Sequence, residues 1–191
     1  MPDAHALPDP LRPSGLPYPS TPVVVRDQLP DKGPGAPASW GLRAAARLFD
    51  LLAVYVVSVS LIGLLGVETN ADGELVGPVW PLFLFPVLFM AYETFLIGRN
   101  GQTLGKFLLR IRAIDWNRGG IASYQQAAIR AVVPGIFLFG TVFGGALGLL
   151  ALIPVVIYLS SLVNPVFRGL HDRAAGTIVL AAPWVKRPRD D

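Results

Sequence analysis

The chain has 191 residues, of which 52% are hydrophobic and only 15% charged, with a net charge of +3 and no cysteine. Soluble domains carry about a quarter charged residues, so this composition points to a membrane protein, and the lack of cysteine excludes disulfides, thiolate metal sites and thiol catalysis. No basic tract interleaves with aromatics, which argues against nucleic-acid recognition, and His5 and His171 are too far apart and too differently surrounded to suggest a histidine metal centre.

Residues 1–38 hold 10 of the 18 prolines, separated by small and polar residues. Such a segment buries too little apolar surface to offset chain entropy and is expected to be disordered. It lacks the basic start and apolar stretch of a secretory signal, so the first membrane helix is expected to serve as an uncleaved targeting element. That helix follows an amphipathic lead-in with Ser39 as N-cap and Trp40 at the interface, and its apolar run covers about 48–66. A second span is expected over about 79–97, with Trp80 at its boundary, Pro81 in its first turn and a kink at Pro86.

From Ala131 to Val163 the chain runs 33 residues without a formal charge. One helix of that length would measure about 50 Å against a hydrocarbon core of about 30 Å. A break in the glycine-rich stretch 144–148 would give two spans, about 127–143 and 146–165. Charge supports this division. The loop 67–79 carries Glu68, Asp72 and Glu74 and no cation, whereas 98–126 carries Arg99, Lys106, Arg110, Arg112 and Arg118 against Asp115, and the tail after Arg168 is basic. The positive-inside rule then favours four spans with both termini in the cytoplasm. The fold class expected is an all-α membrane protein with a membrane domain over 39–182 and a charged tail over 183–191.

The basic loop has local structure of its own. Leu104, Phe107, Leu108 and Ile111 recur at helical spacing with Lys106 and Arg110 opposite, which predicts a short interfacial helix. Ile111–Asp115 alternates and Asn117–Gly120 has turn chemistry before Ile121, the pattern of a small cytoplasmic hairpin to which Thr177–Ala181 can add a strand. Ser123 with Gln126 matches a capping box opening the third span.

Four polar blocks stand out: Arg43-x-x-Ala46-Arg47-x-x-Asp50; Glu93 followed by Gly101-Gln102-Thr103-Leu104-Gly105-Lys106; Gln126-x-x-x-Arg130; and Gly169-Leu170-His171-Asp172-Arg173-x-x-Gly176-Thr177. In this order the set resembles the RDD family of bacterial membrane proteins, over about residues 39–182. Arg43 matches the family arginine, Asp50 its first aspartate and Asp172 its second. The resemblance implies a multi-pass membrane protein of the cell (inner) membrane. The family is suspected of transport, and some members are linked to sodium–proton antiport.

The residues themselves leave two readings open. Arg43, Arg47 and Asp50, spaced four, three and seven apart, share one helical face, and Glu93, Arg130 and Asn164 fall at a similar depth on the other spans. Such a layer can exchange a proton for a cation, because neighbouring carboxylates raise one another's pKa and arginines lower it. It can equally be a polar clamp that fixes helix register. The alternative to an ion transporter is accordingly a scaffold or accessory subunit that recruits a partner through its N-terminal tail or cytoplasmic loop; a lipid-headgroup binder or membrane enzyme has the least support. The bilayer is the expected partner, with a homo-oligomer if the chain transports, and no cofactor, metal or catalytic residue is expected. The Gly101–Lys106 block lacks the spacing and preceding strand of a phosphate loop. Its glycines suit a tight turn and Lys106 suits anionic headgroups, while Asp172 is expected to cap a turn or bind Arg168 or Arg173 locally.

Overall fold

The structure, a computed structural model, describes residues 29–118, 120–143 and 145–181. The tail expected over 183–191, and residues 1–28 of the proline-rich segment, lie outside the described residues. Helix α1 spans Trp40–Leu64, and the side chain of Ser39 caps it by accepting from the Leu42 amide at 3.4 Å. Its buried positions are Ala46, Asp50, Val54 and Ser58, four residues apart on one face, while Leu48, Leu52, Tyr55 and Val56 are exposed on the others. That is the distribution of a helix whose outer surface meets lipid. The acidic loop then forms an exposed hairpin of β1 (Glu68–Thr69) and β2 (Leu75–Val76), in which Asn70 Oδ1 accepts from the amides of Asp72 and Glu74.

Pro81 lies at the start of a 3-10 turn, Trp80–Phe83, which runs directly into α2 (Leu84–Asn100). Gly101 ends α2 at φ +69°, a left-handed conformation that favours glycine. Thr103 then caps the short helix α3 (Leu104–Leu108), and β3 (Ile111–Asp115) follows. The Ser123–Gln126 capping box forms as expected and opens α4 (Tyr124–Leu138), which carries Pro134 in its interior. Helix α5 (Gly140–Phe143) continues α4, and the short α6 (Gly145–Gly148) follows. The chain doubles back here: a Cβ built on Gly140 would lie 2.7 Å from the carbonyl of Leu147 and 3.2 Å from the Ala151 amide. The uncharged run is therefore two helical segments joined by a glycine-lined reversal.

The second of these segments is a 3-10 turn (Leu149–Leu152), α7 (Ile153–Leu159) and another 3-10 turn (Ser160–Val163). Helix α8 (Leu170–Ala175) and strand β4 (Thr177–Ala181) complete the described chain. Among the described residues, three helices are long and apolar enough to cross a membrane, Trp40–Leu64, Trp80–Asn100 and Tyr124–Phe143; Leu149–Val163 is apolar but shorter. The fold is thus mostly helical, with two small sheets.

Two expectations need correction. The hairpin anticipated around Asn117–Gly120 is reduced to a single bridge between Ile114 and Ile121, whereas the strand expected at Thr177–Ala181 forms as β4 and pairs antiparallel with β3 in register from Ile111–Ala181 to Asp115–Thr177. The reason is local: Asp115 folds the turn onto its own carboxylate, which accepts from the amides of Asn117 and Arg118, and Ser123 starts α4 before a return strand can grow. Nor are residues 29–38 disordered, against the expectation for the whole segment 1–38. Leu29, Ala36 and Ala38 are buried, Pro37 bridges Leu180, and Gly35, Ala36 and Ala38 exchange backbone hydrogen bonds with Val179 and Ala181. The free edge of β4 supplies these bonds, so an apolar-poor segment is held by its backbone.

Helix α3 lies so close to α1 that a Cβ on Gly105 would run into the Ala46 carbonyl oxygen, whereas one on Gly63 would meet open space. Gly105→Ala is expected to lower stability by about 1–3 kcal/mol or more, while Gly63→Ala changes it by less than about 1 kcal/mol. Thermal unfolding of the full chain in detergent measures both, and a Gly105→Ala protein as stable as the parent would contradict this packing.

Candidate functional site

Arg43, Arg47, Asp50, Glu93, Thr103, Lys106, Arg130, Asp172 and Thr177, drawn from all four sequence blocks, converge on one layer. Three carboxylates, Asp50, Glu93 and Asp172, are each 0% exposed. An ionised carboxylate removed from water needs a cation and hydrogen bonds to its oxygens, and each of the three obtains them from other chain segments.

Asp50 of α1 is held mainly by neutral donors. Its Oδ1 accepts from Tyr92 Oη at 2.7 Å and from the Gly105 amide at 2.8 Å, and its Oδ2 accepts from Thr103 Oγ1 at 2.6 Å. The nearest cation is Lys106, whose Nζ is 3.9 Å from Oδ2. Glu93 of α2 makes a two-pronged pair with Arg47, whose Nη1 and Nη2 donate to Oε2 and Oε1 at 2.8 Å each. Arg130 Nε stands 3.4 Å and Lys106 Nζ 3.6 Å from the same Oε1. The Arg47 guanidinium also lies over the rings of Tyr158, 4.5 Å away, and Phe89, 5.2 Å away.

Asp172 joins the chain's far end to its beginning. Its Oδ2 accepts from Arg43 Nη1 at 3.0 Å and its Oδ1 from Arg130 Nη1, with Thr177 Oγ1 3.3 Å away and in turn 3.1 Å from Arg130. Arg43 spends its other donors on backbone: Nε on Ala38, Nη1 on Phe167 and Nη2 on Val179. One guanidinium thus fastens the segment before α1, the loop before α8 and strand β4 together.

The Gly101–Lys106 block shapes the receptor for Asp50. Gly101 makes the left-handed turn and packs against the Ala113 carbonyl, and Gln102 bridges the Ile111 carbonyl and Arg112. Thr103 both caps α3 and donates to Asp50. Lys106 does not reach toward headgroups as expected: it is buried, and the outward face of α3 is Leu104, Phe107 and Leu108. The amphipathic pattern is real, but a bilayer reverses its sense, placing the apolar face outward and the ammonium inside. Burial pushes the Lys106 ammonium down to about 8; Glu93 and Asp50 pull it up, and Arg47 and Arg130 push it lower.

Two further expectations change. Asn164 does not enter the layer; its Oδ1 accepts from the amides of Val166 and Arg168 and turns the chain toward α8. Asp172 does cap the first turn of α8, its Oδ2 accepting from the Gly169 amide at 3.3 Å, but its carboxylate does not pair with Arg168 or Arg173: Arg173 is exposed, and Arg168 donates to the Thr177 and Asp172 carbonyls and stacks on Trp116. Gly176 ends α8 at φ +64° and lets Thr177 turn inward. His171 is buried against the Tyr158 ring, and burial holds its imidazole well below the ordinary value, with Arg130 and Arg47 adding to the effect, so it is neutral. Two residues absent from the sequence reading, Tyr92 and Tyr158, belong to the site; Tyr92 sits one residue before Glu93 on α2, but an interfacial tyrosine carries no sign of such a role. Among the described residues no group of three or more potential metal ligands occurs.

Compared with known proteins, the chain matches the model of the RDD family over residues 37–176. No curated protein and no solved structure matches it.

Asp172→Asn keeps the shape of the side chain and removes its charge, leaving Arg43 and Arg130 short of an anion. We expect a loss of about 3–5 kcal/mol in reversible unfolding in micelles, against less than about 0.5 kcal/mol for Asp72→Asn on the exposed hairpin. Equal stability of the two variants would show that the layer does not hold the fold together.

Proposed function

Since the chain belongs to the RDD family, we propose that it is a four-span protein of the inner membrane that exchanges protons for cations, with Lys106 as the group that trades its proton. The observation that carries this proposal is the looseness of Lys106. The other cations of the layer make direct hydrogen bonds to carboxylates, whereas its ammonium stands 3.6 Å from Glu93 and 3.9 Å from Asp50 and, among the described residues, has the Thr103 hydroxyl within bonding reach at 3.3 Å.

A small cation can take the place of that ammonium. When Lys106 gives up its proton, Glu93 Oε1, Asp50 Oδ2 and Thr103 Oγ1 are left as oxygen ligands of the kind hard cations prefer. One proton leaves and one monovalent cation enters, so the charge of the layer is the same before and after. With the ammonium titrating at about 8, the proton blocks the site below that pH and the cation competes above it. Arg47 and Arg130 stay beside Glu93, and Arg43 and Arg130 beside Asp172, through the exchange. Four helices enclose little volume, so we propose a homo-oligomer as the working unit.

Four crossings are favoured by the path of the chain. It leaves the layer at Arg130, runs along α4 to Phe143, and returns to Arg130 at Asp172. The 3-10 turns on either side of α7 stretch Leu149–Val163 to about 26 Å, near the about 30 Å of a hydrocarbon core. The acidic β1–β2 hairpin then lies outside, and both termini inside.

A second proposal, a non-transporting scaffold, draws on the saturation of Asp172, whose partners come from α1, α4 and β4. In that case the layer only fastens helices, and the docked 29–38 segment and the α3 loop present a face to a partner.

Everted vesicles with a pH dye decide between the two. Sodium-dependent dequenching is expected to rise as pH passes through about 8, and Lys106→Arg, which retains its charge at any accessible pH, should abolish it. Unchanged exchange in Lys106→Arg would sink the role of Lys106, and no exchange by the parent protein would leave the scaffold. Because the chain has no native cysteine, single cysteines report topology: in intact cells an impermeant maleimide should label Asp72→Cys and spare Arg118→Cys and Arg173→Cys. Labelling of Arg173→Cys would rule out four spans.

A further inference from the structure

Between α1 and α7 lies a cavity of about 350 Å³, within the about 300–1,000 Å³ typical of small-molecule sites. Arg43, Arg47, Lys106 and Arg130 line it, and none of the three carboxylates does. The layer therefore turns its cations toward the cavity and its anions away. Its charges do not cancel either: four cations stand against Asp50, Glu93 and Asp172, and His171 is neutral. One positive charge is left over in a region where the paired side chains are at most 12% exposed. An uncompensated charge in such surroundings is costly, and a monovalent anion seated in the cavity would balance it.

The rest of the lining limits what that anion is. Leu48 and Leu51 of α1 face Val155 and Leu159 of α7 across the cavity, and Leu48, Val155 and Leu159 are also exposed on the outer, lipid-facing surface. The cavity thus opens from a cationic floor into hydrocarbon. Tyr158 and His171 also line it, and each carries a buried polar atom, Oη and Nδ1, without a hydrogen-bond partner among the described residues. A tyrosine hydroxyl can donate, so an unused donor stands beside the cationic floor, while the His171 imidazole turns Nε2 toward Asp172 Oδ2, 3.6 Å away.

We propose that this cavity is the binding site of an anionic membrane phospholipid, with its phosphodiester against the Arg43–Arg47–Lys106–Arg130 floor and an acyl chain leaving between Leu48 and Val155. A phosphodiester supplies one negative charge and acceptor oxygens, and arginine is well suited to both. The volume holds a headgroup and the first methylenes, and the rest of each chain runs along the exposed apolar faces of α1 and α7. A free phosphate would meet the cations but leave the apolar walls dry; a zwitterionic lipid would fill the walls without balancing the charge. The site stands whether the layer exchanges ions or only fastens helices.

Native mass spectrometry of the full chain, released from a neutral detergent, tests this with phosphatidylglycerol, phosphatidylcholine of the same acyl chains, and glycerol phosphate. The expected result is one phosphatidylglycerol per chain, retained at activation energies that strip phosphatidylcholine, with a melting temperature several degrees higher and no effect of glycerol phosphate at equal concentration. Ala44→Trp and Val155→Trp fill the cavity from opposite sides without touching the ion pairs, and each should cut retention tenfold or more. Equal retention of the two phospholipids, unchanged retention in both variants, or displacement by glycerol phosphate would overturn the proposal. Should neither variant fold, the comparison of lipids on the parent chain decides alone.

Discussion

Everything in this structure depends on the need to neutralise three carboxylates that water does not reach. Asp50, Glu93 and Asp172 are fully buried, and none is neutralised from within its own helix. Helix α1 carries Arg43, Arg47 and Asp50 on one side, at spacings that would allow pairing along the helix. Yet Arg43 reaches Asp172, Arg47 reaches Glu93, and Asp50 is met by Tyr92, Thr103, Gly105 and Lys106. Pairing across elements makes the ionic layer a specification of which segments meet. Apolar helices in lipid gain little from hydrophobic association with one another, so such polar contacts carry information that the greasy faces lack.

The same layer explains the small residues around it. Gly105 brings the α3 backbone onto α1 so that its amide reaches Asp50, and Gly135 on α4 leaves room for Met90 of α2 beneath the Glu93–Arg130 contact. Each glycine substitutes close backbone approach for side-chain packing. Precision in the polar layer therefore rests on the absence of side chains at a few neighbouring points.

Local rules made much of this visible in the sequence. The shared face of Arg43, Arg47 and Asp50, the Ser123–Gln126 box, the turn at Gly101 and the reversal in the uncharged run all follow from short-range spacing, capping and length. What escaped was direction and long-range pairing. Periodicity showed that α3 has two faces but not which one turns inward, and in a bilayer the polar face is the buried one, so Lys106 points opposite to the expectation. The strand at Thr177–Ala181, legible from its β-branched and apolar residues, does pair with β3 across more than sixty residues, but as a direct partner rather than an addition to a local hairpin. Composition also misjudged residues 29–38, because their attachment runs through backbone amides and carbonyls to β4, and those groups are the same in every sequence. Asn164 shared the right depth but had a nearer use, in the turn before α8.

The contact between Arg43 and Asp172 joins residues 129 positions apart, and this orders events while the chain is being made. A ribosome delivers Arg43 and then Arg130 to the membrane long before Asp172 exists. Until that aspartate emerges, Arg130 has Glu93 alone and Arg43 has no carboxylate partner. Helix α8 therefore acts as a latch: the layer closes only after every membrane-crossing helix it fastens has been delivered. Chains that lack α8 would present Arg43 without its carboxylate, a mark that distinguishes them from the folded protein.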